Sequence, residues 1–276
     1  MSSHKHLHIG PLFTGFIDDA AVFPPGNAPL GTAVERHRQH RDAWYAPLVG
    51  PLLLPASALT ALTAHLQDDE HLTIGVIADT GPDGAADAIA DLPGTIAVNQ
   101  IEARAGHDTA IHALARVAAD TGIHCYAEIP LGTGLPATLD LLGALDLRPK
   151  FRTGGLTADL FPTPAALADA ITACVRAGLD FKLTAGLHHV LRHTDPSTGF
   201  THHGFGNILA ATALAASGAE PPEVARLLEI TESDPIRYSL RGMLAHPRPH
   251  WIGFGSCSIA EPLDDLIEWS LVDKEN

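Results

Sequence analysis

The sequence predicts an α/β protein folded as a single (β/α)8 TIM barrel, and three observations lead there. Eight short apolar runs alternate with alanine- and leucine-rich stretches of helical spacing. That is the pattern of a parallel sheet covered by helices. The length of 276 residues suits one such barrel. No G-x-G-x-x-G fingerprint follows an early strand, which weighs against an open dinucleotide-binding sheet. One domain over residues 1–276 is expected, with 1–10 a flexible N-terminus.

In chain order the expected strands are Phe13–Val22, Leu48–Leu54, Leu72–Ala78, Thr95–Ile101, Cys125–Ile129, Lys150–Thr153, Phe181–Thr184 and Trp251–Phe254. Asp18 and Asp19 interrupt the first; if that run were a loop, an open sheet would be the alternative. The helix before the seventh strand has Thr163 as N-cap and Pro164 at its first position. Leu167, Ile171, Cys174 and Val175 form its inward stripe, and Gly178 ends it. After the eighth strand, Ser258 and Glu261 have capping-box spacing ahead of Leu263, Leu266 and Ile267. Arg192–Gly206 is the longest loop-like stretch, and long loops inside a domain are often functional.

Composition narrows the function. The chain is 46% hydrophobic and 18% charged, enough apolar material for a sizeable core. Acids outnumber bases by 32 to 17, for a net charge of -15. A nucleic acid would be repelled on average and is not an expected partner, while a local basic pocket remains open to a small anionic metabolite, the partner that the strand-end residues below lead to expect. The three cysteines are too few and too scattered for a disulfide framework. The N-terminus lacks the apolar stretch of a signal peptide, and Pro51 and Pro55 break the most apolar run, Leu48 to Leu66. A cytoplasmic protein without a membrane partner is expected, and a homo-oligomer is compatible with the sequence.

Barrel enzymes carry their chemistry at the C-terminal ends of the strands. Lys150 and Arg152 share one face of the sixth strand, and Lys182 and Thr184 one face of the seventh. A charge inside an apolar strand is costly unless it is paired or used. A lysine at a strand's start could equally point to solvent at the lower rim, a reading that fits Lys150 better than Lys182. The eighth strand runs through Gly253-Phe-Gly-Ser-Cys-Ser258 into a helix. Such a segment either binds an anion on free N–H groups or is a tight turn with a cap.

Lys150-Phe-Arg-Thr-Gly-Gly155, Lys182-Leu-Thr-Ala-Gly186 and Gly253-Phe-Gly-Ser-Cys-Ser258 together resemble the last three strands of deoxyribose-phosphate aldolase, over about a third of the chain. That family carries K-T-S-T-G, K-A-S-G-G and a G-T-S-S phosphate loop. The resemblance implies a class I aldolase-like lyase, with Lys150 as the imine-forming lysine and Lys182 as the second lysine. It makes Gly186, Gly255 and Ser256 phosphate-binding backbone. Arg152 and Thr184 would line the substrate site, with Arg152 as the anion clamp. No cofactor is needed for this chemistry. Thr95-Ile-Ala-Val-Asn99 lacks the family's aspartate on the fourth strand, so Glu102 or Glu128 would carry the proton. Arg152 and Leu187-His188-His189 depart from the family's pattern and imply a different substrate. Ala185–His189 and Phe254–Ser258 are also similar to segments of bacterial proteins of unassigned function.

The alternative rests on histidines. His188, His189, His193, His202 and His203 crowd one loop, and imidazole suits divalent transition metals. With Asp19, Glu102 or Glu128 they would make a metal-dependent hydrolase, lyase or isomerase. Against this, successive side chains diverge, and no H-E-x-x-H spacing is present. They would otherwise line a loop or bind an anionic substrate. Cys257 has no histidine placed near it by local sequence and reads as a structural thiol. A third reading is a non-catalytic small-ligand-binding barrel.

Overall fold

The eight apolar runs become the staves of a closed parallel barrel in the computed structural model, which describes residues 9–273. In chain order the strands are β1 (Ile17–Asp19), β2 (Val49–Pro55), β3 (Leu72–Ile77), β4 (Ile96–Arg104), β5 (His124–Glu128), β6 (Arg148–Arg152) and β7 (Phe181–Thr184). Two short strands follow in the long loop, β8 (His193–Thr194) and β9 (Thr201–His202), paired only with each other. The last stave, β10 (Trp251–Ser256), lies between β7 and β1 and closes the ring. The (β/α)8 barrel expected from sequence is therefore the fold. The flexible terminus expected over 1–10 falls mainly on residues outside those described.

Helices α1 (Leu30–Asp42), α2 (Leu59–Leu62), α3 (Gly81–Ala90), α4 (Asp108–Thr121), α5 (Leu135–Ala144) and α6 (Pro164–Ala177) connect consecutive staves. Three helices, α7 (Phe205–Ala216), α8 (Pro221–Glu229) and α9 (Ser233–Met243), fill the connection from β7 to β10, and α10 (Ala260–Glu268) ends the chain. Helix α6 starts as its sequence predicts: the Ala166 N–H donates to Thr163 Oγ1 (3.1 Å), and Gly178 ends it at φ 67°. Among the described residues no helix is long and apolar enough to cross a membrane.

Only β7 has its expected limits, and three of the departures bear on the site. The first strand is three residues long rather than ten. Its Asp19 Oδ1 accepts from the Ala21 N–H (3.2 Å), an aspartate turn that takes the chain out of the sheet. β4 runs on past Ile101 through Glu102 to Arg104, with a register shift against β3 at Ile74 and Gly75. β10 runs on through Gly255 and Ser256, which pair with Asp18 and Asp19. The expected glycine loop is thus the end of a strand.

The barrel floor is apolar. Phe16 meets Trp251 and Phe254 edge-on at centroid distances of 4.9 and 5.0 Å. Arg248 stitches the chain across that floor by donating to the carbonyls of Leu12, Thr14 and Trp251. Further up, the interior turns polar: Asp18, Gln100, Glu102, Lys150 and Lys182 are all buried. The apolar core lies instead between the staves and their helices.

Candidate active site

The sheet register fixes the site. Lys150 and Lys182 are direct neighbours on β6 and β7, and Glu128 sits opposite Lys150. Strand alternation then turns all three toward the barrel axis. Lys150 Nζ donates to Glu102 Oε2 at 2.6 Å and lies 3.3 Å from Glu128 Oε2. Lys182 Nζ donates to the other oxygen of Glu102, Oε1, at 2.9 Å, and also to Asp18. One buried carboxylate is thus held between the two ammonium groups. With Lys150 4% and Lys182 1% exposed, neither points to solvent at a rim. Arg152 continues the chain of charge outward. Its Nε and Nη2 each lie 3.0 Å from Glu128 Oε1, and its side chain is about a third exposed.

Asp18 and Gln100 complete the network; the sequence offers Asp18 only as a metal holder or a turn cap beside Asp19, and Gln100 not at all. The Gln100 amide donates to Asp18 Oδ2 (2.9 Å) and to Glu102 Oε1 (3.0 Å), tying the two carboxyls together. The signal for Asp18 was present: a buried aspartate in a strand needs a partner as much as a buried lysine does. Room for these groups comes from missing side chains. A Cβ on Gly50 would lie 2.1 Å from Asp18 Oδ1, and one on Gly75 would lie 2.8 Å from Gln100 Cγ. Gly50→Ala is therefore expected to push the Asp18 carboxyl off Lys182 and to cost about 2–3 kcal/mol of stability by overpacking. Urea unfolding checks this, with Gly143→Ala in α5 as the unstrained control; equal midpoints would contradict it.

The charges tune one another. Burial raises the Glu102 carboxyl, but Lys150 and Lys182 outweigh it and bring its pKa down to about 2. Glu128, part-buried beside Lys150 and Arg152, is also lowered, because those two cations outweigh its partial burial. Asp18 goes the other way: burial, aided by the nearby charge of Glu102, raises it despite Lys182. Burial works against the charge of Lys182, yet Asp18 and Glu102 hold its ammonium well above the ordinary lysine range. Glu102 is thus firmly ionised, and Asp18 is the carboxyl pushed toward holding a proton. This changes the expected proton carriers: Glu102 and Glu128 stand as ionised acceptors in the resting protein. Lys182 is a standing cation, with the charge of Glu102 between it and Lys150.

A depressed carboxyl stabilises the fold above its unfolded pKa and loses that contribution as pH falls toward its folded pKa. Glu102 should therefore cost the fold on the order of 3 kcal/mol as the pH drops from about 4.5 to about 2. Denaturant unfolding at a series of pH values measures this slope. Glu102→Gln should flatten it, and an unchanged slope would contradict the assignment.

The other expected ligand-binding residues have structural partners. Thr184 lies opposite Arg152 and Gly255 on the neighbouring strands. Its carbonyl accepts from Thr153 Oγ1 (3.2 Å). Gly186, at φ 76°, lets the loops after β6 and β7 meet, since a Cβ there would lie 3.0 Å from Gly154 Cα. The Ser256 hydroxyl donates to the Ser258 carbonyl (2.8 Å) and closes the turn into α10. Half of the expected capping box forms, with the Glu261 N–H donating to Ser258 Oγ (3.3 Å). The Glu261 carboxylate reaches His188 instead.

The structure does not gather the expected metal ligands. His188 Nδ1 donates to Glu261 Oε2 (2.7 Å), and His189 Nδ1 to Asp265 Oδ2 (3.2 Å). His202 Nδ1 donates to the Gly186 carbonyl (3.1 Å). His203 Nε2 donates to the Pro162 carbonyl (2.8 Å), and burial lowers its pKa to about 4, so it stays neutral. Asp19 is turned from the barrel axis toward α1 and pairs with His37 at 3.0 Å. Adjacent side chains diverge, and each finds its own partner. Among the described residues no three histidine, cysteine or acidic side chains are disposed to hold a metal ion. A surface depression of about 430 Å³ borders His189, His193 and Arg237, but none of its lining residues belongs to the lysine network.

Fold and site define a (β/α)8 barrel with a buried lysine–carboxylate network in its interior. No family model matches the chain, and no curated protein matches it either. Among solved structures, YJJV, a TatD homologue from Escherichia coli K12, is similar at 14% identity and a TM-score of 0.36. That likeness covers 83% of this chain and 98% of the other. At that score it bears on no residue of the site.

Proposed function

We propose that this protein is a class I aldolase-like lyase that forms an imine between Lys150 and a small anionic carbonyl metabolite. One observation carries the reading: two lysines on adjacent staves bind the two oxygens of one buried carboxylate inside the barrel. Such a network is costly to bury, and burying it inside a barrel is justified by chemistry rather than by stability. Lys182, held as a cation by two carboxyls, is a poor nucleophile. Lys150 also contacts two carboxylates, but one of them, Glu128, is shared with the part-exposed Arg152, so a ligand that engages Arg152 changes the pairing of Lys150 and makes it the better candidate.

The partly exposed Arg152 meets the ligand's anionic group. Pairing with that anion draws Arg152 from Glu128 and leaves Glu128 with one cation fewer, so its proton affinity rises. Glu128 then takes the proton of Lys150, and the freed amine attacks the carbonyl carbon. Loss of water gives the imine, an electron sink for making or breaking a neighbouring carbon–carbon bond. No cofactor takes part.

Borohydride trapping with phosphorylated and carboxylated aldehydes and ketones tests the proposal. A covalent adduct from at least one of them is expected. Absence of any adduct, with full turnover by Lys150→Ala, would overturn it. Elemental analysis of tag-free protein addresses the metal reading: a stoichiometric divalent metal lost in His188→Ala or His203→Ala would restore it. Ligand binding without turnover would favour the non-catalytic barrel.

A further inference from the structure

A second cluster at the same mouth lies outside the lysine network. Cys257 follows the end of β10, His188 stands in the loop after β7, and Glu261 lies in the first turn of α10. Cys257 Sγ is 3.9 Å from His188 Nε2, and the opposite ring nitrogen, Nδ1, donates to Glu261 Oε2 at 2.7 Å. The carboxylate fixes the tautomer, so the lone pair of Nε2 faces the thiol. The sulfur and the carboxylate lie on opposite sides of the ring, which suits a proton relay and not a shared metal ion. The thiol is half-buried, and the His188 ring is about a fifth exposed, so a small molecule has access. A Cβ on Gly26 would lie 3.0 Å from Cys257 Cβ, so glycine lets that backbone approach.

We propose that Cys257, His188 and Glu261 form a nucleophilic thiol centre that accepts an acyl group from a small ester or thioester. The sulfur attacks the acyl carbon while its proton passes to His188 Nε2. The bond from the acyl carbon to the leaving oxygen or sulfur breaks, and the leaving group departs with that proton. Water then attacks the thioester, gives a proton to His188, and releases the acid as the proton returns to the thiol. Glu261 is a positioning residue that holds the ring. Burial raises the Cys257 thiol above its ordinary range, so little thiolate stands free and the base is needed. The other two cysteines are buried, with no such partner, and serve as internal references.

The test does not depend on the lysine reading. In the full chain at neutral pH, iodoacetamide should alkylate Cys257 first. His188→Gln should slow that labelling by about 100-fold, and Glu261→Gln by about 10-fold. p-Nitrophenyl acetate should release one equivalent of nitrophenol in a burst, with the acetyl group mapped by mass to Cys257 and absent in Cys257→Ser. Circular dichroism identifies a variant that has not folded, and the acetyl map on wild-type protein then decides. Equal labelling of Cys257 in folded wild type and both variants, or an acetyl group found on a lysine instead, would overturn the proposal. Imine trapping on Lys150 should persist in Cys257→Ser, so the two centres can fail separately.

Discussion

Glu102→Ala should lower the stability of this protein by about 3–5 kcal/mol, the largest single loss expected in the barrel interior. The carboxylate is buried between Lys150 and Lys182 and takes a hydrogen bond from Gln100. Removing it leaves two ammonium groups and one amide with fewer partners where water does not compensate them. For a chain of this size the midpoint of thermal unfolding should fall by roughly 6–20 °C. Glu102→Gln keeps the volume and a hydrogen-bonding group, and should lose less. A second change that removes one inner cation, Lys182→Met, should recover part of the loss, because the two positions share one network. Simple additivity of Glu102→Ala and Lys182→Met would contradict the coupling.

Lys150→Arg separates chemistry from stability. An arginine there keeps a cation between Glu102 and Glu128, so the loss of stability should stay under about 2 kcal/mol. Its guanidinium stays protonated and cannot form the imine. Borohydride-trapped adduct should vanish, and carbon–carbon turnover should fall by at least about 1000-fold, the scale of losing a covalent route. Lys182→Arg, by contrast, should retain some adduct. Retained turnover in folded Lys150→Arg would remove Lys150 from the chemistry.

Most of the fold was legible because the staves carry short apolar runs that alternate with stretches of helical spacing, as a sheet covered by helices requires. The lysines were legible for the opposite reason: charge is expensive in those strands, so Lys150 and Lys182 stood out. The same cost makes Asp18 conspicuous in hindsight. In the sequence, however, Asp18-Asp19 looks like a break in a strand, because it sits in a stave only three residues long. Its two carboxylates face opposite ways, Asp18 to Lys182 and Asp19 to His37. His37 lies in α1, the helix that follows β1, whereas Lys182 is 164 residues from Asp18 and only the closed barrel brings those two together. The histidine loop misled for a local reason. Five histidines close together in sequence suggest a shared ion, but β8 and β9 stack the His193 ring on that of His202 as a packing contact, and His189 and His188 bind separate acids on α10. Cys257 and His188 are 69 residues apart, so no spacing rule could link them.

The most direct measurement is the mass map of the borohydride-trapped adduct on wild-type protein. It assigns one lysine, among the few in the chain, to the covalent bond. The account requires the label on Lys150, lost in Lys150→Arg. A label on Lys182 would reverse the roles of the two lysines, and a label confined to Lys5 or Lys274 would contradict the barrel interior as the site of chemistry.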